Sequence, residues 1–487
     1  MEAPTSEEVY LEFQEYGLIY IPIGVFWYEN MNCQNWSDLG IPDFPMILDD
    51  SEDWIFPGWF GAPFPVNIIL NQDMEIIHRS IGHYYSYIRA DIFSALSELP
   101  GNENLVPDFE FGVDTEVAPT PDDLINQLYP DIAIDENNRL HIVWLNSHSD
   151  QSDIFYNFSD NGGMSFSPPV QINSVSGSAL NMENGSPKIR TSGDNIYIAW
   201  SDIRAGENQA QIYLASSQNN GQDWSELGSV DQTDTHQIFP DLEIGQAGSL
   251  HLIYTSLFES GEIEGIRYTF ADPGEMIFSA STLPDLTSGF GMPATCSPAD
   301  LEVSEQNDLF IAFRNNVNGI YDHFIAPKPH DQNDFNVGVP VSYSWWSSDI
   351  CPTSGPSIDA TFFNIAAAYQ VQDPANTYLR FGSPESMVFQ DAYQANEPAA
   401  AFSQDYPSIQ IEREFMHAVW VDDSQGDADI YYGMSKTFDA GVFNVHRIND
   451  VTTAVSEEGF PKLLHHDGEL YCVWISDLPN GQYRIFF

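Results

Sequence analysis

Three segments of this 487-residue sequence end an apolar run on a tryptophan followed within three residues by an aspartate. They are Trp200-Ser201-Asp202-Ile203-Arg204, Trp420-Val421-Asp422 and Trp474-Ile475-Ser476-Asp477. Carboxylates repeated near one rim of a fold offer oxygen ligands to a hard cation such as Ca²⁺, or hydrogen bonds to sugar hydroxyls, and Arg204 sits beside the first of them. The competing reading makes each aspartate a turn cap and each tryptophan a core residue. Trp345-Trp346 forms a second candidate, because paired aromatics on a loop suit stacking on a sugar or peptide, or else plug the interior. Trp345, Trp346, Asp202, Arg204, Asp422 and Asp477 are therefore the binding candidates, for a protein or glycan ligand. The four cysteines, Cys33, Cys296, Cys351 and Cys472, show neither CxxC nor metal-ligand spacing, so no thiol-built metal or redox centre is expected, and no cofactor beyond Ca²⁺.

The elements that position these residues repeat. A proline followed by alternating apolar residues, a turn and a second apolar run ending in an aromatic recurs from Pro130, Pro187, Pro240, Pro298, Pro356, Pro407 and Pro461. Typical first runs are Asp131-Ile132-Ala133-Ile134 and Ser408-Ile409-Gln410-Ile411, and typical second runs His141-Ile142-Val143-Trp144 and His251-Leu252-Ile253-Tyr254. A third run follows a polar turn, as in Ile154-Phe155-Tyr156. Three or four short strands every fifty-odd residues, with no helical period between them, predict a seven-bladed antiparallel β-propeller over residues 101–487. The last repeat stops at its third strand, and a propeller with an open edge is exposed to further pairing. The stretch Asp108–Val113 is expected to close that blade. Cys296 and Cys351 precede Pro298 and Pro356 in adjacent repeats, which makes a disulfide between them an expectation.

The turn between third and fourth strands carries the most specific motif. Ser159-x-Asn161-x-Gly163-x-Ser165-Phe166 and Ser217-x-Asn219-x-Gly221-x-Asp223-Trp224 resemble the Asp-box (BNR) hairpin of sialidase-type propellers, Ser-x-Asp-x-Gly-x-Thr-Trp, with Asn replacing Asp. Asp272-x-Gly274 and Asp439-x-Gly441-x-Phe443 look like eroded copies. The resemblance implies structural turns, with Ser and Asn binding backbone amides, Gly supplying a positive φ and Phe166 or Trp224 stapling the hairpin. It also raises an exo-sialidase activity. That family uses an arginine triad, a Tyr–Glu pair, an Asp acid/base and an Arg-Ile-Pro signature; no Arg-Ile-Pro occurs here, and no three of the propeller's nine arginines fall at equivalent positions.

Residues 1–100 break the repeat. A helix from Ser6 to Tyr16, strands at Leu18–Phe26 and Phe44–Asp49, a hairpin of Phe64–Leu70 with Glu75–Arg79 and a helix near Ile88–Leu99 resemble an incomplete α/β thioredoxin-like (redoxin) domain. In the same resemblance Pro65 matches the cis-proline beside the redox site, and Glu2-Ala3-Pro4 resembles the residues that follow a CxxC pair. A thiol–disulfide oxidoreductase whose CxxC lies upstream is thus an alternative function, and this module is inactive in the sequence as given.

The sequence holds 72 acidic and 15 basic residues, a formal charge of −57. Such a field repels phosphate backbones and anionic headgroups, so nucleic acid is an unexpected partner. High-salt surroundings would favour the same composition. No run of about 18 apolar residues predicts membrane insertion. The expectation is a secreted, periplasmic or surface-exposed, non-catalytic propeller that binds protein or glycan through one face; its oligomeric state is not encoded legibly.

Overall fold

The computed structural model describes residues 111–487 apart from 121–123, 348–351, 372–375, 396–402, 437–441, 450–453, 456–458 and single positions 150, 186, 207, 232, 345 and 479. Before them it describes Phe109, four strand segments and helical positions 92 and 96. The chain divides into two compact units, Met1–Phe109 and Glu110–Phe487. In the first, Ile23–Gly24 pairs in parallel with Ile47–Leu48, Val66–Leu70 pairs antiparallel with Ile76–Ile81, and Ile92 and Leu96 are buried. Pro65 and Cys33 lie outside the described residues.

The second unit is a seven-bladed β-propeller. Blade 1 shows the plan: Asn126–Ile134 lies innermost, then Leu140–His148, Gln151–Ser159 and the short outer strand Val170–Gln171, all antiparallel. The inner strands of blades 2 to 7 begin at Lys188, His236, Asp300, Ser357, Gln404 and Lys462. Each second strand is buried on both faces, which is why it reads as a continuous apolar run rather than an alternating one. Trp144, Trp200 and Trp420 are at most 1% exposed and fill the joints between blades. Blade 4 departs from the proline phasing, because Asp300, two residues after Pro298, pairs with Ala312 as Asp131, one residue after Pro130, pairs with Val143.

Ring closure uses both ends of the unit. Thr115 N donates to Phe487 O (2.9 Å), Phe487 N to Thr115 O (3.0 Å) and Val117 N to Ile485 O (2.9 Å). The closing strand is therefore Thr115–Val117, a few residues beyond the expected Asp108–Val113. Phe111, inside that expected stretch, has a different role, its ring lying 5.3 Å from that of Tyr432 in blade 6.

Both Asp-box turns form. Ser159 Oγ accepts Gly163 N (3.0 Å) and Asn161 Oδ1 accepts Ser165 N (3.0 Å). Ser217 and Asn219 do the same for Gly221 N and Asp223 N at 2.9 Å each. Asparagine keeps the accepting oxygen and adds a donor, since Asn219 Nδ2 bonds Asp223 Oδ2 at 2.9 Å. Each turn grips the preceding blade: Trp224 meets Tyr156 edge-on at 4.9 Å, and Phe166 meets the C-terminal Phe487 at 5.7 Å. Gly221 has φ +79°, and a Cβ there would sit 2.2 Å from Tyr156 Oη, so glycine is required twice over. In the eroded copies, Gly274 keeps its positive φ, whereas Asp439 and Gly441 lie outside the described residues.

Candidate functional site

Asp202 and Asp422 end the second strands of blades 2 and 6, two residues after the core tryptophan, and each accepts a hydrogen bond from that tryptophan's indole. Asp202 is fully buried; its Oδ2 accepts Ser178 Oγ (2.7 Å), Trp200 Nε1 (3.0 Å) and Arg204 Nη2 (2.8 Å). Hydrogen bonds from Arg204, Ser178 and Trp200 outweigh the cost of burial and hold Asp202 below the usual carboxylate range. Arg204 also pairs with Glu226 (2.6 Å) and lies over the Tyr213 ring. Asp422 accepts Gln404 Nε2 (3.0 Å), Trp420 Nε1 and Ser424 N. Asp477 ends its strand opposite Ala454 and Tyr483. Trp346 forms a two-residue strand beside Ile320–Tyr321, and its ring lies 5.1 Å from Tyr321; Trp345 lies outside the described residues. Cys296 is disulfide-bonded, with Sγ 3.1 Å from the Pro352 carbonyl. Cys351, the residue before Pro352, lies outside the described residues.

The site that sequence reading missed lies on the propeller axis. Inner-strand side chains alternate, so positions i and i+2 of seven strands point into one channel. The first ring is Asp131, Lys188, Asp241, Asp300, Ser357, Ser408 and Lys462. Five of these stitch blade to blade, each accepting a backbone amide of a neighbouring inner strand: Asp131 from Ile189 (2.9 Å), Asp241 from Leu301 (2.7 Å), Asp300 from Ile358 (2.7 Å), Ser357 from Ile409 (3.3 Å) and Ser408 from Leu463 (3.0 Å). Lys188 pairs with Asp241 at 3.2 Å. In the second ring, Arg190 bonds Glu243 and Asp131, Asp359 accepts Ile411 N and Gln410 accepts His465 N. The signal was present: a polar residue follows the repeated proline wherever the phasing holds, and a second polar residue stands two positions further on in blades 2, 3, 5 and 6.

These rings, Asp241 excepted, line a cavity of about 290 Å³. Its ammonium and guanidinium groups come from blades 7 and 2, and most of its carboxyls from blades 3 to 5, so the channel is polarised across its width. Lys462 makes no hydrogen bond or ion pair with a described residue, and Glu302 accepts only the adjacent Val303 amide (3.0 Å). Burial, then the neighbouring Lys188, lowers the Lys462 ammonium below its ordinary range. Burial, then the field of Glu243, Asp359 and Asp300, pushes Glu302 well up. Asp300 and Glu243 rise to about 7 for the same principal reason, burial. Asp241 is instead held low, despite its burial, by the neighbouring Lys188 and Arg190, so the axis brings together carboxyls of raised and of lowered proton affinity. One mouth is crossed by the loop before Pro187: Asn184 Nδ2 donates to Thr353 O (3.0 Å) and Tyr406 Oη lies 3.4 Å from Glu183, linking blade 2 to blades 5 and 6 across the axis.

Among the described residues no group of three or more His, Cys, Asp or Glu side chains is placed to hold a metal ion, and no helix is long and apolar enough to cross a membrane. The propeller arginines are dispersed: Arg139 pairs with Asp160, Arg190 with Asp131 and Glu243, Arg267 with Glu264, and Arg447 with Asp429.

No family model matches the chain, and no curated protein matches it. Solved structures do share its fold. A polysaccharide lyase of family PL25, an ulvan lyase bound to -[GlcA(1-4)Rha3S]-, is similar over 77% of this chain and 94% of its own, with a TM-score of 0.52 and 10% identity. A mutant Trypanosoma rangeli sialidase with trans-sialidase activity is similar over 78% of this chain and 58% of its own (TM-score 0.46, 12% identity). A Penicillium chrysogenum α-L-arabinanase complexed with arabinobiose is similar over 64% and 94% (TM-score 0.44, 13% identity). At such identities the likeness is one of fold.

Proposed function

We propose that the propeller is a non-catalytic glycan-binding module that takes one or two sugar units into the axial cavity. The observation that carries this reading is the cavity wall, a continuous set of hydrogen-bonding side chains in which Lys462 and Glu302 remain without an inter-blade partner. Hydroxyls both donate and accept, and a wall that mixes carboxyls, serines, ammonium groups and a guanidinium meets both demands. The ulvan lyase of the same fold, bound to a uronate–rhamnose unit, supports a saccharide as the ligand class. The dispersed arginines give the exo-sialidase reading no support. The disulfide at Cys296 supports residence in an oxidising, extracytoplasmic compartment, where the N-terminal unit is read as thioredoxin-like.

The test is a glycan array followed by calorimetry on the full chain. Binding is expected for at least one saccharide, with a loss of ten-fold or more in Lys462→Met and Glu302→Gln. Unchanged affinity in both variants, with melting temperatures preserved, refutes the axial site; turnover of the bound saccharide refutes the non-catalytic assignment.

A further inference from the structure

Between blades 4 and 5 a cation stands where every other blade has a neutral side chain. The position after the core aromatic of the second strand is Leu145, Ser201, Thr255, Gln370, Val421 and Ile475 in blades 1, 2, 3, 5, 6 and 7, but Arg314 in blade 4. Arg314 stands directly across the sheet from His323, and both are 1% exposed. The Arg314 guanidinium gives Nη2 to Ser354 O (2.6 Å) and Gln370 Oε1 (3.4 Å). Its Nε and Nη1 have no hydrogen-bond partner among the described residues, nor does either ring nitrogen of His323, and the Tyr369 hydroxyl, which faces the Arg380 guanidinium, has no acceptor there. Tyr369 enters from blade 5, its ring 5.1 Å from that of His323, and Trp346 covers the guanidinium at 5.4 Å.

No acid among the described residues forms an ion pair with Arg314. Asp405 attracts Arg314 through space but forms no ion pair with it, and accepts Tyr406 N at 2.8 Å. Asp322 accepts His323 N at 2.9 Å. Arginine has no acceptor of its own, so two buried N–H groups carrying positive charge require an external acceptor. A water molecule would accept those bonds but bring no charge into contact with a guanidinium that no carboxylate touches, and an uncontacted charge is the costly part of burying an ion. We propose that this pocket holds one small monovalent anion of chloride size, seated on Arg314 Nε and Nη1, the His323 imidazole N–H and the Tyr369 hydroxyl, and covered by Trp346. It is a site separate from the axial cavity and serves to lock blade 4 onto blade 5.

The test uses the full chain at constant ionic strength, replacing methanesulfonate by chloride or bromide. Melting temperature is expected to rise saturably with either halide, and the rise to vanish in Arg314→Met. A crystal soaked in bromide is expected to show an anomalous peak between Arg314 and His323. Should Arg314→Met fail to fold, the bromide crystal of the unaltered chain decides. Melting independent of anion identity in the unaltered chain, or a water alone at that position, overturns the proposal.

Discussion

Removing the last three residues, Ile485-Phe486-Phe487, should cost most of the propeller's stability. Three backbone hydrogen bonds to Thr115 and Val117 disappear, at about 1 kcal/mol each. Ile485 is fully buried, and emptying such a site costs roughly 2–5 kcal/mol. Phe487 packs on Phe166 and Tyr471 at 5.7 and 6.1 Å, and half burying a phenylalanine contributes about 1–2 kcal/mol. The sum is about 6–10 kcal/mol, against a typical total of about 5–15 kcal/mol. The assay is urea unfolding followed by tryptophan fluorescence, comparing the full chain with one ending at Arg484. Val117→Pro attacks the same seam from the other end by deleting one amide donor. Because both changes open one seam, their combination should cost clearly less than their sum. A truncated chain with an unchanged midpoint, or strictly additive effects, would show that the termini touch without closing the ring.

Gly221→Ala should destabilise by about 2–4 kcal/mol, because its Cβ meets Tyr156 Oη at 2.2 Å at a positive φ and overpacking adds to backbone strain. Gly193→Ala, at φ +57° with nothing within 4 Å, should cost only about 1–2 kcal/mol; equal losses in the two would contradict the contact. Carbon-13 spectra should place the His141 and His251 titrations near 4, since burial disfavours their charged forms. Folded values below the unfolded 6.5 mean that this contribution is fully present above pH 6.5 and is lost as pH falls toward 4. Midpoints near 6.5 would show both rings to be wet. Non-reducing peptide mapping should join Cys296 to Cys351, and recovery of Cys296 linked to Cys33 would refute that pairing.

What was legible in the sequence was whatever repeats in type. Seven proline-led runs announced seven blades, and the Asp-box signature placed Ser159, Asn161, Ser217 and Asn219 in the turns they form. Position within the repeat was less legible. Pro298 stands one residue further from its axial acid than Pro130 does, so proline phasing misplaces Asp300 in blade 4. Residues before the prolines add a bulge that the apolar alternation does not reveal: Tyr129, Phe239, Tyr406 and Phe460 all have φ between +42° and +53°. The axial rings were legible residue by residue but not as rings. Each member looks like an ordinary polar residue at the start of a strand, and only closure of the ring turns seven separate positions into one wall.

The same geometry accounts for much of the acidity near the axis. An inner strand has a paired edge toward its own blade and a free edge toward the next, and the free amides there need acceptors that the neighbouring backbone does not supply. Aspartate or serine at the first axial position meets that need at five joints, whereas Lys188 meets it indirectly by anchoring Asp241. Carboxylates recruited as amide acceptors then crowd one another, and desolvation raises Asp300, Glu243 and Glu302. Perturbed acidity on the axis is thus the consequence of closing seven sheets around a line. The residues to interrogate for ligand binding are those that closure leaves out: Lys462, which stitches nothing, and Glu302, which holds only its neighbour's amide. If neither affects ligand affinity, the channel is a seam and the binding face lies elsewhere.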